Sequence, residues 1–164
     1  MKFGKVFFIL IFIGILFGCS NNITGTNSAS NINDKTNEIS AQLREPPNLE
    51  IFIGEEKVTP VLGTYSWSYK YENGTTESIE ADADSPSTIV EGREPQKVDA
   101  DADISIEFST MPITYLIREW DTEHNVLGIE RELNLSIHEG KKIFELLGSW
   151  EQGNASYVFY LDIE

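Results

Sequence analysis

The chain has 164 residues, 27 acidic against 12 basic, a net charge of −15 and a single cysteine. Such a charge repels nucleic acid and anionic lipid headgroups and favours cations or basic partners. One cysteine excludes a disulfide framework, so a hydrophobic core has to hold the fold.

The chain opens MKFGKVFFILIFIGILFGC. Lys2 and Lys5 make a short basic start, and residues 6–17 are apolar apart from Gly14. That run is too short for a membrane-spanning helix of about 20 residues and fits the apolar region of a secretory signal. It ends in Leu16-Phe17-Gly18-Cys19, which resembles the bacterial lipobox, although Phe17 is larger than that pattern usually has. The resemblance implies cleavage after residue 18 and acylation of Cys19. Each buried methylene contributes ~0.8 kcal/mol, so two or three acyl chains would anchor the protein without a spanning helix. Losing Lys2 and Lys5 leaves ten basic residues against 27 acidic ones, a charge of −17. The expected location is the extracytoplasmic face of the cell membrane.

Residues 19–47 hold this cysteine and a stretch rich in Asn, Ser and Thr that ends at Pro46-Pro47. Too few large apolar groups are present to offset the entropy of ordering, which predicts a flexible tether. Residues 48–164 then form one domain of ordinary size.

Within the domain the dominant period is two. LEIFIG (49–54) reads as a short strand. In GTYSWSYKY (63–71), Tyr65, Trp67, Tyr69 and Tyr71 share a face, expected to be core. Exposed, that face would suit a sugar or a peptide. Asn73-Gly74 predicts a type I′ hairpin turn and TTESIEA the return strand. DADSPSTIV reads as loop and short strand, ADISIEFST and ITYLIREW as strands, DTEHN as a turn and GIERELNLS as a strand. SIHEGKKIFELL allows either helix or strand over 136–150, because Ser136 and Glu139 imitate a capping box that Gly140 interrupts. The favoured reading is a turn at HEGK and a strand over 142–151, with Phe144, Leu146 and Trp150 on one face. EQGNA is a turn, and SYVFYLDI a closing strand that points Tyr157, Phe159, Leu161 and Ile163 inward. Short strands at such spacing predict an all-β fold, an antiparallel immunoglobulin-like sandwich of seven to nine strands.

The pieces GTYSW and ADADSP, with the terminal Trp150, Gly153, Ala155, Tyr157, Phe159 and Leu161 of the last hairpin, are similar to a lipoprotein family of low-GC Gram-positive, Bacillus-type bacteria. That resemblance implies the location and a sandwich fold but transfers no functional residue. The last hairpin is also similar in style to the immunoglobulin-like intracellular proteinase inhibitor of bacilli, which implies an inhibitor of an extracytoplasmic protease as one alternative role.

Two acidic ladders remain: Glu80, Asp82 and Asp84, then Asp99, Asp101 and Asp103. Neither is an EF-hand loop. Counted from Asp99, positions 6 and 12 are Ile104 and Thr110; counted from Glu80, position 6 is Ser85. If the two ladders meet, six carboxylates could hold a calcium ion. The plainer reading makes Asp99 and Asp101 the wet face of an edge strand with the alanines inward. His124 and His138 look exposed, and too few ligands accompany them for zinc. No GxSxG or SxxK motif supplies a nucleophile, and no carboxylate pair stands out for glycoside hydrolysis. The expected role is therefore binding or scaffolding, towards an envelope or secreted protein partner and without enzymatic chemistry.

Overall fold

The computed structural model describes residues 42–164. Cys19, the signal-like leader and most of the expected tether lie outside the described residues. Ten strands and one short helix follow one another: β1 (Leu49–Ile53), β2 (Glu56–Val58), β3 (Val61–Lys70), β4 (Thr76–Ala81), α1 (Pro86–Val90), β5 (Gln96–Val98), β6 (Ile104–Phe108), β7 (Thr114–Trp120), β8 (Val126–Glu130), β9 (Gly140–Trp150) and β10 (Gly153–Ile163). A 3₁₀ turn, Leu135–Ile137, precedes β9.

The strands form a sandwich of unequal sheets. The small sheet has the order β2-β1-β6, and the large one β4-β3-β10-β9-β7-β8. The predicted antiparallel all-β sandwich is present, with ten strands. All pairings are antiparallel except that of β5 with the end of β10. β10 shares one edge between two partners, β3 over its first half and β5 over Leu161–Ile163.

Alternation explains the core. β9 and β10 pair over eleven residues each, and both put every second side chain inward. Phe144, Leu146, Phe159 and Leu161 are fully buried there. Ile51 and Ile53 of β1 descend on them from the small sheet. Trp67 meets Trp150 edge-on at 5.6 Å, and Phe108 packs edge-on against Trp150 at 5.7 Å. Each such side chain contributes ~1.5–3 kcal/mol by leaving water. A smaller apolar cluster lies on the outer face of the large sheet, where α1 lays Ile89 and Val90 against Ile143, Val158 and Trp120.

Several expectations need correction. PSTIV is helical: Pro86 occupies the first turn, where its missing N–H costs nothing, and Ile89 N donates to Ser85 O. The hairpin between β3 and β4 exists, but Gly74 alone takes positive φ, and the Asn73 side chain accepts from Thr75 N instead. The strand expected over 128–136 ends at Glu130. Leu133 and Leu135 still bury, carried by loop and 3₁₀ turn. Residues 136–150 resolve as that turn followed by strand β9. The expected core face of β3 divides: Trp67 is buried, whereas Tyr69 and Tyr71 are half-buried and meet edge-on at 4.9 Å under Arg44.

Residues 42–47, assigned by sequence to the tether, lie against the domain. Leu43 N donates to Gln152 Oε1 at 2.9 Å, and Leu43 O accepts from Gln152 Nε2 and Trp67 Nε1. Pro46 and Pro47 are buried.

Candidate binding groove

The two acidic ladders part company. Glu80 ends β4, while Asp82 and Asp84 lead exposed towards α1. Glu80 and Asp82 border a hollow of about 470 Å³ on the outer face of the large sheet, with Thr64, Ser66, Leu147 and Ser156 beneath. Asp99, Asp101 and Asp103 occupy the connection from β5 to β6, beside a different hollow. Among the described residues no three His, Cys, Asp or Glu side chains come together as a metal site.

The edge-strand reading of Asp99 and Asp101 also needs correction, because β5 ends at Val98 and β6 begins at Ile104. Residues 99–103 are a turn. Asp99 Oδ1 accepts from Asp101 N at 2.9 Å, and Ala102 N donates to Asp99 O. Ala100 N is tied to Glu164 O. The alternation nevertheless survives: Ala100 and Ala102 pack on the core, and the aspartates face water.

That turn forms one end of a hollow of about 770 Å³. Ile104 and Ile106 of β6 make one wall, and Tyr115, Leu133 and Leu135 make the floor and far wall. Asp101, Asp103 and Glu132 stand at its mouth, and among the described residues no Lys or Arg lines it. The far wall is stiffened by Asn134, whose Oδ1 accepts from Ser136 N and Ser136 Oγ. The groove exists because the small sheet is too narrow to cover the large one. β6 is its last strand, and the loop over 131–137 covers what is left.

β6 brings a second property to the groove. Among the described residues it pairs only with β1, in a register that sets Ile51 opposite Ile106. Gly54 N donates to Asp103 O, and Ser109 N to Asn48 O, at the two ends of this ladder. Those bonds set its parity. Ser105 and Glu107 turn their N–H and C=O groups towards β1, and Ile104, Ile106 and Phe108 turn theirs to the open edge.

Of the two histidines expected to be exposed, His124 is and His138 is not. The ring of His138 is only 6% exposed, with Nδ1 3.5 Å from Glu119 and Nε2 3.2 Å from Glu130. It sits edge-on to Phe144 at 5.3 Å, and Lys142 reaches Glu119 at 2.7 Å. This polar knot closes the inner side of the large sheet beyond the small one. His124 is exposed, but its Nδ1 lies 2.7 Å from Ser85 Oγ and 2.8 Å from Ser87 Oγ. A hydroxyl beside an imidazole is the start of a nucleophile, yet no carboxylate bonds the far ring nitrogen among the described residues. The contact ties the β7–β8 turn to α1. Asp121 shapes that turn by accepting from Glu123 N and Asn125 N. The Asn125 N–H above all holds its carboxyl below the usual range.

Sequence reasoning passed over Glu132, Leu133 and Leu135 as ordinary strand residues. The Asn134-x-Ser136 pair was the signal for a turn, since an Asn side chain readily bonds the backbone two residues on. No protein-family model, curated protein or solved structure gives a significant match to the chain.

Proposed function

We propose that the protein is a lipid-anchored module of the extracytoplasmic membrane face that works by binding an envelope or secreted protein, with no reaction of its own. The signal-like leader and the lipobox-like Cys19 support the location, as does the resemblance to Gram-positive lipoproteins. The observation that carries the binding role is the groove at β6. It joins a strand edge unpaired among the described residues to a hollow of about 770 Å³.

The test uses the full chain in cells. A photo-crosslinking residue replaces Glu107, which is exposed on β6. The wild-type chain incorporates an alkynyl fatty acid, fractionates with membrane and yields a discrete adduct with an envelope protein. Cys19→Ser removes the label and releases the chain. An unlabelled wild-type chain that stays soluble would refute the anchoring, and absence of any adduct would refute the binding role.

A further inference from the structure

We infer that the β6 groove takes an extended basic segment of a partner protein, added as a fourth strand to the small sheet. The inference rests on the binding role just described and names the chemistry of its occupant.

Three observations converge. The first is the open edge. Ile104, Ile106 and Phe108 present alternate N–H and C=O groups in the spacing that an incoming strand requires. Main-chain pairing of this kind supplies affinity, and pockets beneath alternate side chains supply selectivity. The second is the hollow directly alongside. A strand laid on β6 would drop every second side chain towards Tyr115, Leu133 and Leu135. The third is charge. Asp101, Asp103 and Glu132 line the hollow, which no described Lys or Arg lines although Arg131 adjoins Glu132, and Glu107 projects from β6 itself. Lysine or arginine at the intervening positions of the added strand would meet these carboxylates.

The other strand edges lack this combination. β2 has only three residues, and both faces of β4 are largely exposed. β8 turns Leu127 and Ile129 outward, 59% and 64% exposed, but borders none of the hollows described. Edges left open are commonly blunted by charge or by shortness. β6 bears only Glu107 as a blunting charge, and that charge would itself attract a basic strand.

The experiment titrates the full chain with three synthetic peptides of roughly seven residues, a common strand length. One alternates Val with Lys, the second alternates Val with Glu, and the third is the Lys peptide N-methylated at alternate residues. Binding is followed by amide chemical shifts and by hydrogen exchange.

The Lys peptide is expected to bind, to shift the amides of Ile104, Ile106 and Phe108, and to slow their exchange. The Glu peptide and the methylated peptide should each bind at least roughly tenfold more weakly. Asp101→Asn with Asp103→Asn should weaken the Lys peptide by roughly tenfold at low salt, since each exposed pair contributes little. Melting temperature and far-ultraviolet circular dichroism check that this variant folds.

Equal binding of Lys and Glu peptides overturns the basic occupant. Indifference to N-methylation overturns strand addition. Shifts confined to the outer hollow at Thr64 and Ser156 overturn the placement. A concentration-dependent dimer that protects the same β6 amides without peptide assigns the edge to a second copy of the chain instead. If the peptides fail while the Glu107 crosslinker still captures a partner, the binding role stands and only the occupant is wrong. If both fail, the role falls as well.

Discussion

Tyr157 shows how much one side chain can settle. Its ring is 3% exposed, between Phe108 and Trp150, and its hydroxyl donates to Pro47 O at 2.5 Å. The bond fastens the segment entering the domain to the last strand. Tyr157→Phe keeps the packing and strands a carbonyl, so urea unfolding should show a loss of ~1–2 kcal/mol. Burial also pushes this hydroxyl far above its ordinary value of 10.0. The sign follows from the unfolded chain, which ionises Tyr157 near that ordinary value while the folded protein keeps it neutral. The contribution is whole below pH 10 and shrinks as pH climbs towards the folded value. The Phe variant should therefore lose stability less steeply in alkali than the wild type, as measured by midpoints across that range. Asp121 works in the opposite direction. Its lowered value makes its contribution complete above the usual carboxylate range and weaker in acid.

At the scale of elements, the β9–β10 hairpin organises the molecule. It touches β3, β5 and β7, and its inward face supplies nearly half of the main core cluster. Small residues let the sheets close on it. Gly153 packs against the Ser66 carbonyl, where any Cβ would overlap it. Gly148 lies under the ring of Trp150, whose Nε1 donates to Thr110 O at 2.9 Å. Gly148→Ala would drive a methyl into that ring. The expected loss is ~1–3 kcal/mol, as for other overpacked sites. It should come with a change in near-ultraviolet circular dichroism, because the Trp67–Trp150 contact has to shift. An unchanged spectrum and midpoint would mean that the ring has room to move. The helix at α1 shows how an element can be misread. Thr88, Ile89 and Val90 favour strand by propensity, but Pro86 starts a helical turn and the outer face of β9 and β10 rewards it with burial.

Across the whole domain the acidic charge of the described residues is distributed and not gathered. Glu80 and Asp82 border one hollow, Asp101 and Asp103 another. A calcium ion bound with a dissociation constant of ~10 µM would stabilise the domain by ~2.7 kcal/mol at ~1 mM. For a chain of this size the melting temperature would rise by roughly 10 °C. The separation of the ladders predicts no such rise. A calcium-specific shift abolished by Asp82→Asn or Asp101→Asn would show that the two ladders do cooperate.

What the chain declared by itself was local and periodic. Alternation in β1, β3, β6, β7, β9 and β10 was enough for an all-β sandwich, because a period of two is what one buried face demands. The inward side of β9 and β10 and the inward alanines at 100 and 102 were legible for the same reason. The signal-like start and the lipobox-like Cys19 are linear patterns that lie outside the described residues. The tertiary structure decided everything that depends on what lies opposite. It split the aromatic face of β3, buried His138 between Glu119 and Glu130, and set the two acidic ladders beside different hollows. It also left β6 paired along one edge alone. Sheet width and strand order come from contacts between residues far apart in the chain, and no local pattern encodes them. The groove beside β6 is therefore a property of the packed sheets and could not be read from any one segment.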